Sequence, residues 1–123
     1  MHMHKIKERK TLNMNVYDTA NKLASEMRNS EEYTNYKQAK EKIEQNVELK
    51  QKVEEFEKIR YEVQVLAMQG KEVNEEKNKK LQEMYTILIG HNEIKEYFDL
   101  EVKFNVMLAD VNKIIAESVK DVL

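Results

Sequence analysis

Apolar residues recur along this chain at intervals of three and four, the spacing that gathers them on one face of an α-helix. The longest clear run extends from Val47 to Gln69 and carries Leu49, Val53, Phe56, Ile59, Val63 and Leu66. A second begins near Asn92 and carries Ile94, Tyr97, Glu101, Phe104, Leu108, Val111 and Ile115. Between them lies a shorter stripe of Leu81, Met84, Tyr85 and Leu88. Upstream, Val16, Ala20, Leu23 and Met27 form one stripe, and Tyr33, Tyr36, Ala39 or Lys40, and Ile43 form the next. The pattern predicts an all-α chain of about five helices, the last of them long.

The polar residues between the stripes predict where helices start and stop. Asn15 is a suitable N-cap for the first, with Asp18 in the first turn favouring the helix dipole. Ser30 and Asn46 are the next two caps. Neither junction contains Gly or Pro, so each reads equally as a loop or a kink. The stretch LAMQGKEVNEEK, residues 66–77, is the strongest punctuation. Gly70 can take the left-handed conformation that closes a helix. Asn74 can cap the next, with Glu75 and Glu76 in its first turn and Val73 placed for a hydrophobic staple. Gly90 then ends the fourth helix and Asn92 caps the fifth.

A last helix of about 28 residues would be about 42 Å long. A compact domain of this size has a radius of gyration near 13 Å, roughly. The apolar seam runs nearly to Val122, so much of it would stay wet in a monomer. The expectation is a bundle completed by dimerisation, a homodimer with Ile94, Tyr97, Glu101, Phe104, Leu108, Val111 and Ile115 as its seam.

Composition narrows the function. The 123 residues suit one domain; 36% are charged, none is proline, and the net charge is −2. Basic and acidic residues are well mixed, which argues against a nucleic-acid interface. The chain has no cysteine, which excludes disulfides, thiol catalysis and thiolate metal sites. The lack of cysteine fits a cytoplasmic location, and no apolar run approaches the roughly 20 residues that span a bilayer, so no membrane partner is expected.

Residues 1–13, MHMHKIKERKTLN, differ from the rest. They hold two of the three histidines and four of the 21 basic residues. One reading is a basic arm; another is a non-native or disordered leader. Lys7 to Lys10 can be encoded by a purine run resembling a ribosome-binding site, with Met14 three codons on. The expected organisation is this leader followed by a single helical domain over residues 14–123.

Candidate chemistry is sparse. His91 is the one histidine of the body, without a partner at catalytic spacing. A di-iron bundle needs Glu-x-x-His pairs, and the residue three before His91 is Leu88. The two glycines stand alone, so there is no phosphate loop. No enzyme, cofactor or metal site is expected. Glu101 interrupts an apolar seam. It reads either as an edge carboxylate that reaches water, Arg60 or a lysine, or as a buried polar residue that fixes register. Asn105 and Asn112 lie beside it. The aromatics and Met68 and Met84 read as packing, with a partner groove as the minor reading.

Three segments, NVYDTANKLASEMRNSEEY, MQGKEVNEE and NEIKEYFDLEVKFNVMLADVNKII, resemble the YlbF/YheA/YmcA family of small helical bacterial proteins. The resemblance covers about Met14 to Val119, with MQGKEV leaning toward the YheA branch. It implies an all-α dimer with no catalytic site to carry over. It also implies a regulatory role in Gram-positive bacteria, with paralogues and ribonuclease Y as partners in messenger RNA maturation. Some relatives carry cysteines linked to iron–sulfur chemistry; this chain has none, which favours a homodimer. The expected function is a non-enzymatic adaptor acting through protein–protein interaction. The rival is an RNA-binding accessory protein, and removal of residues 1–13 followed by a salt titration of RNA binding separates the two.

Overall fold

The computed structural model describes residues 15–72 and 74–123, with the backbone of the first helix reaching back to His2. Five helices follow one another: α1 (His2–Arg28), α2 (Glu31–Glu44), α3 (Val47–Met68), α4 (Glu75–Leu88) and α5 (Asn92–Ser118). The described residues contain no strand.

Local side-chain chemistry sets most of the ends. Ser30 Oγ accepts from Tyr33 N at 3.2 Å and donates to Met27 O at 2.6 Å, joining the stop of α1 to the start of α2. Asn46 Oδ1 accepts from Leu49 N at 3.2 Å. Only residues 29–30 and 45–46 separate these helices, so both junctions are two-residue breaks. At the end of α3, Gly70 takes φ +69°. Lys71 N then bonds to Leu66 O and Gly70 N to Ala67 O, both at 3.1 Å, which satisfies carbonyls the helix would leave open. Asn74 Oδ1 accepts from Glu76 N at 3.1 Å and Lys77 N at 3.2 Å.

This turn yields a prediction. A Cβ at Gly70 meets nothing within 4 Å, so Gly70→Ala carries only backbone strain. It should lower stability by about 1 kcal/mol, as should Asn74→Ala by removing the cap. Urea unfolding followed by helical circular dichroism measures both.

Two expected boundaries are corrected. Asn15 lies inside α1, because the helix extends back to His2. The N-cap of α5 is His91, not Asn92: His91 is extended at φ −89°, ψ 118°, and its carbonyl already accepts from Ile94 N and Lys95 N. Gly90 follows the end of α4 at Leu88 without a positive φ; its N–H bonds to Ile87 O at 3.2 Å. The staple proposed for Val73, and the side chains of residues 1–13, lie outside the described residues.

The chain divides into two units, residues 1–34 and 35–123. In the first, α1 carries Leu23 and Met27 half-buried and Val16 and Tyr17 exposed. The second holds the core: Ala39 and Ile43 of α2, Leu49, Val53 and Phe56 of α3, Leu88 of α4, and Ile94, Tyr97 and Phe98 of α5. These residues flank the junctions at 45–46 and 89–91, so the core gathers where those two connections fall. Opposite them, α3 and α4 fold back on each other through residues 69–74.

The stripe on α5 does not behave as one seam. Ile94 is 0% exposed and Tyr97 and Phe98 are buried with it. Farther along, Phe104, Met107 and Val111 are half-buried, while Leu108 is 37%, Ile115 52% and Ile114 70% exposed. Of the expected dimer seam, the first three residues, Ile94, Tyr97 and Glu101, pack within their own chain. The cause is geometric. A stripe repeating every 3.5 residues drifts about 20° per heptad around a helix of 3.6, so its two ends face different surroundings.

Candidate functional site: a polar clamp and an apolar helix face

Three helices bring polar groups together beside the core. Arg60 sits on α3 one turn beyond Phe56, and Glu101 on α5 one turn beyond Tyr97. Arg60 Nη1 donates to Glu101 Oε1 at 2.8 Å and Nη2 to Oε2 at 3.5 Å. Tyr36 on α2 donates its hydroxyl to Glu101 Oε2 at 3.3 Å. The Glu101 side chain is only 15% exposed, so three donors hold a carboxylate that water scarcely reaches. Arg60 also lies over the Phe56 ring at 5.5 Å.

Aromatic rings extend the clamp. Tyr36 stacks on Tyr97 at 5.4 Å between centroids and leans on Phe104 at 5.4 Å. Tyr97 Oη donates to Glu57 Oε1 at 3.1 Å. Glu101 thus pairs with Arg60, and it is also largely buried; it combines the two readings open from the sequence. Phe98, which the stripe left out, packs on Phe56 at 5.3 Å and Tyr85 at 5.7 Å. Its signal was present in the spacing of Ile94, Tyr97, Phe98 and Glu101, the i, i+3, i+4, i+7 pattern of a true α-helical face.

Electrostatics follow from burial. The Tyr97 hydroxyl is pushed well above its ordinary value, first by burial, then by the Tyr36 hydroxyl and the Glu57 charge. Tyr36 is raised too, chiefly by burial. For Arg60, burial pulls downward, but the bonds and charge of Glu101 outweigh it and leave the guanidinium more basic. A tyrosine with a raised value in the folded state contributes stability below its ordinary pKa of 10.0, and that contribution is lost as pH rises above it. Stability measured from about pH 9 to about pH 11.5 should therefore fall, and Tyr97→Phe should flatten the fall.

Two grooves open elsewhere on the unit of residues 35–123. One joins the starts of α3 and α5 and is lined by Asn46, Glu48, Leu49, His91, Asn92 and Glu93. There His91 makes no side-chain capping bond. Another runs past Lys40, Glu44, Lys50 and Glu54, with Tyr97 and Glu57 at its floor. Among the described residues no group of three His, Asp or Glu is placed to hold a metal ion. No helix among them is long and apolar enough to cross a membrane.

Fold and site define a small all-α protein whose polar residues clamp three helices and whose last helix carries an open apolar face. Residues 16–120 match the family described as control of competence regulator ComK, YlbF/YmcA. The chain belongs to the YlbF/YmcA family. It is 42% identical over 105 residues to a UPF0342 protein of Caldicellulosiruptor saccharolyticus, covering 85% of this chain and 88% of that one. A UPF0342 protein of Caldicellulosiruptor bescii is 38% identical over 106 residues, covering 86% and 89%. The structure of a protein of unknown function (DUF964) from Bacillus stearothermophilus superposes with a TM-score of 0.76 over 87% of this chain and 94% of that one. At 16% identity that likeness speaks for the fold alone.

Proposed function

We propose that this protein is a non-enzymatic helical adaptor that acts in the cytoplasm as a homodimer and regulates by binding other proteins. Membership of a family described by competence control supports a regulatory role. The observation that carries the adaptor reading is the distal half of α5, where Leu108, Ile114 and Ile115 stand in water on a helix whose proximal half is buried. Apolar faces left open in a small chain are the usual material of protein interfaces. Family paralogues and ribonuclease Y are the partners this reading names, with messenger RNA maturation as the process served.

Two experiments test it. Leu108→Lys or Ile115→Lys should convert a dimer to a helical monomer in sedimentation velocity, because each forces a charge into a desolvated contact. An unchanged dimer places the interface elsewhere. Affinity capture of the chain starting at Met14 from its native cells should return ribonuclease Y or paralogues in near-stoichiometric amounts. Return of the bait alone overturns the adaptor reading.

A further inference from the structure

The distal half of α5 has a heptad grammar of its own. Counted from Glu101, the first positions are Leu108 and Ile115 and the fourth are Phe104, Val111 and Ser118. The flanking fifth positions are Asn105, Asn112 and Val119, and the flanking seventh are Met107 and Ile114. From Phe104 to Val119 these ten positions hold no charge, in a chain that is 36% charged. The charges of this segment, Asp110, Lys113 and Glu117, all fall on the other face. A surface facing water has no reason to be so depleted, and most of it is exposed.

We infer that distal α5 pairs antiparallel with α5 of a second copy of this chain, about a two-fold axis between residues 109 and 110. The inference rests on the homodimer proposed above and adds its orientation and register. Leu108 then lies beside Val111 of the second copy, and Phe104 beside Ile115. The overlap from 104 to 115 is about 18 Å long. It stops short of Glu101, where Arg60 and Tyr36 already occupy the helix face.

The flanks decide both occupant and direction. Coiled coils that choose a foreign partner do so with charges at these flanks, and here there are none. Parallel pairing sets fifth positions against seventh, which would bury the Asn112 amide against Met107. Antiparallel pairing sets like against like. Asn105 meets Asn112 of the second copy, each amide both donor and acceptor, and Met107 meets Ile114. The two-fold repeats both pairings.

The absence of cysteine makes the register directly testable. Asn105 and Asn112 are exposed, so Asn105→Cys and Asn112→Cys leave the chain's own packing untouched. The two single variants, mixed, allowed to exchange subunits and treated with a short bis-maleimide, should give a mixed crosslinked dimer as the main product. Neither variant alone should match its yield. A dimer by sedimentation that gives no mixed product overturns the register while the homodimer stands. Ready oxidation of Leu108→Cys to a self-linked dimer, without the mixed product, marks parallel pairing and also overturns it. A chain that sediments as a monomer at every concentration overturns the register and the homodimer together.

Discussion

Phe98→Ala should lower the stability of the folded chain by about 3–4 kcal/mol. The ring is 5% exposed and sits among Phe56, Tyr85 and Tyr97, all within 6 Å between centroids. Truncation loses the transfer free energy of the ring and leaves a hole between rigid aromatic plates that cannot collapse into it. The core around it is thin, drawn from one or two turns of each of four helices. Urea unfolding followed by circular dichroism should show an earlier midpoint with an unchanged slope. A loss below about 1 kcal/mol would show that Phe98 lies outside the unit that unfolds cooperatively.

The second large effect is at the clamp. Arg60→Met should cost about 2–3 kcal/mol, because it leaves the Glu101 carboxylate largely enclosed with only the Tyr36 hydroxyl to bond. The figure sits below that of a fully buried pair because Arg60 is itself 32% exposed. Arg60→Met combined with Glu101→Leu should be more stable than Arg60→Met alone, since no charge is then stranded. A double-mutant cycle reads the coupling directly. A coupling near zero would mean that water, not Arg60, solvates Glu101. Arg60→Lys should recover only part of the loss, because an ammonium cannot bridge both carboxylate oxygens or lie flat on Phe56.

Much of the fold was legible because it rests on local chemistry. A side chain such as Asn46 or Asn74 bonds to backbone two or three residues away, so position in sequence nearly determines position in space. The same logic misplaced the start of α5. Asn92 is the better capping residue by type, yet the chain turns one residue earlier, at His91, after the break beyond Leu88. Asn15 was misread because the residues before it contain nothing that stops a helix.

The candidate site was half legible. Arg60 was already a candidate partner for Glu101, beside water and a lysine. That Tyr36 joins them, and that Tyr97 reaches Glu57, depends on how α2, α3 and α5 cross. Spacing along one helix carries no information about that crossing. The division of the α5 stripe into a covered start and an open end was hidden for a related reason. The heptad spacing is the same throughout, and only the neighbours change.

The unevenness of α5 also bears on how long a single copy lasts. Amides near Ile94 can exchange with solvent only when the core opens, whereas those beyond Leu108 need only fraying from the C-terminal end. A copy without company therefore offers a loosely held, oily helix end of the kind that proteases and chaperones grasp first. Under the proposed homodimer, hydrogen exchange along this one helix would report the share of copies that are paired. The number of copies a cell keeps would then follow the number it can pair.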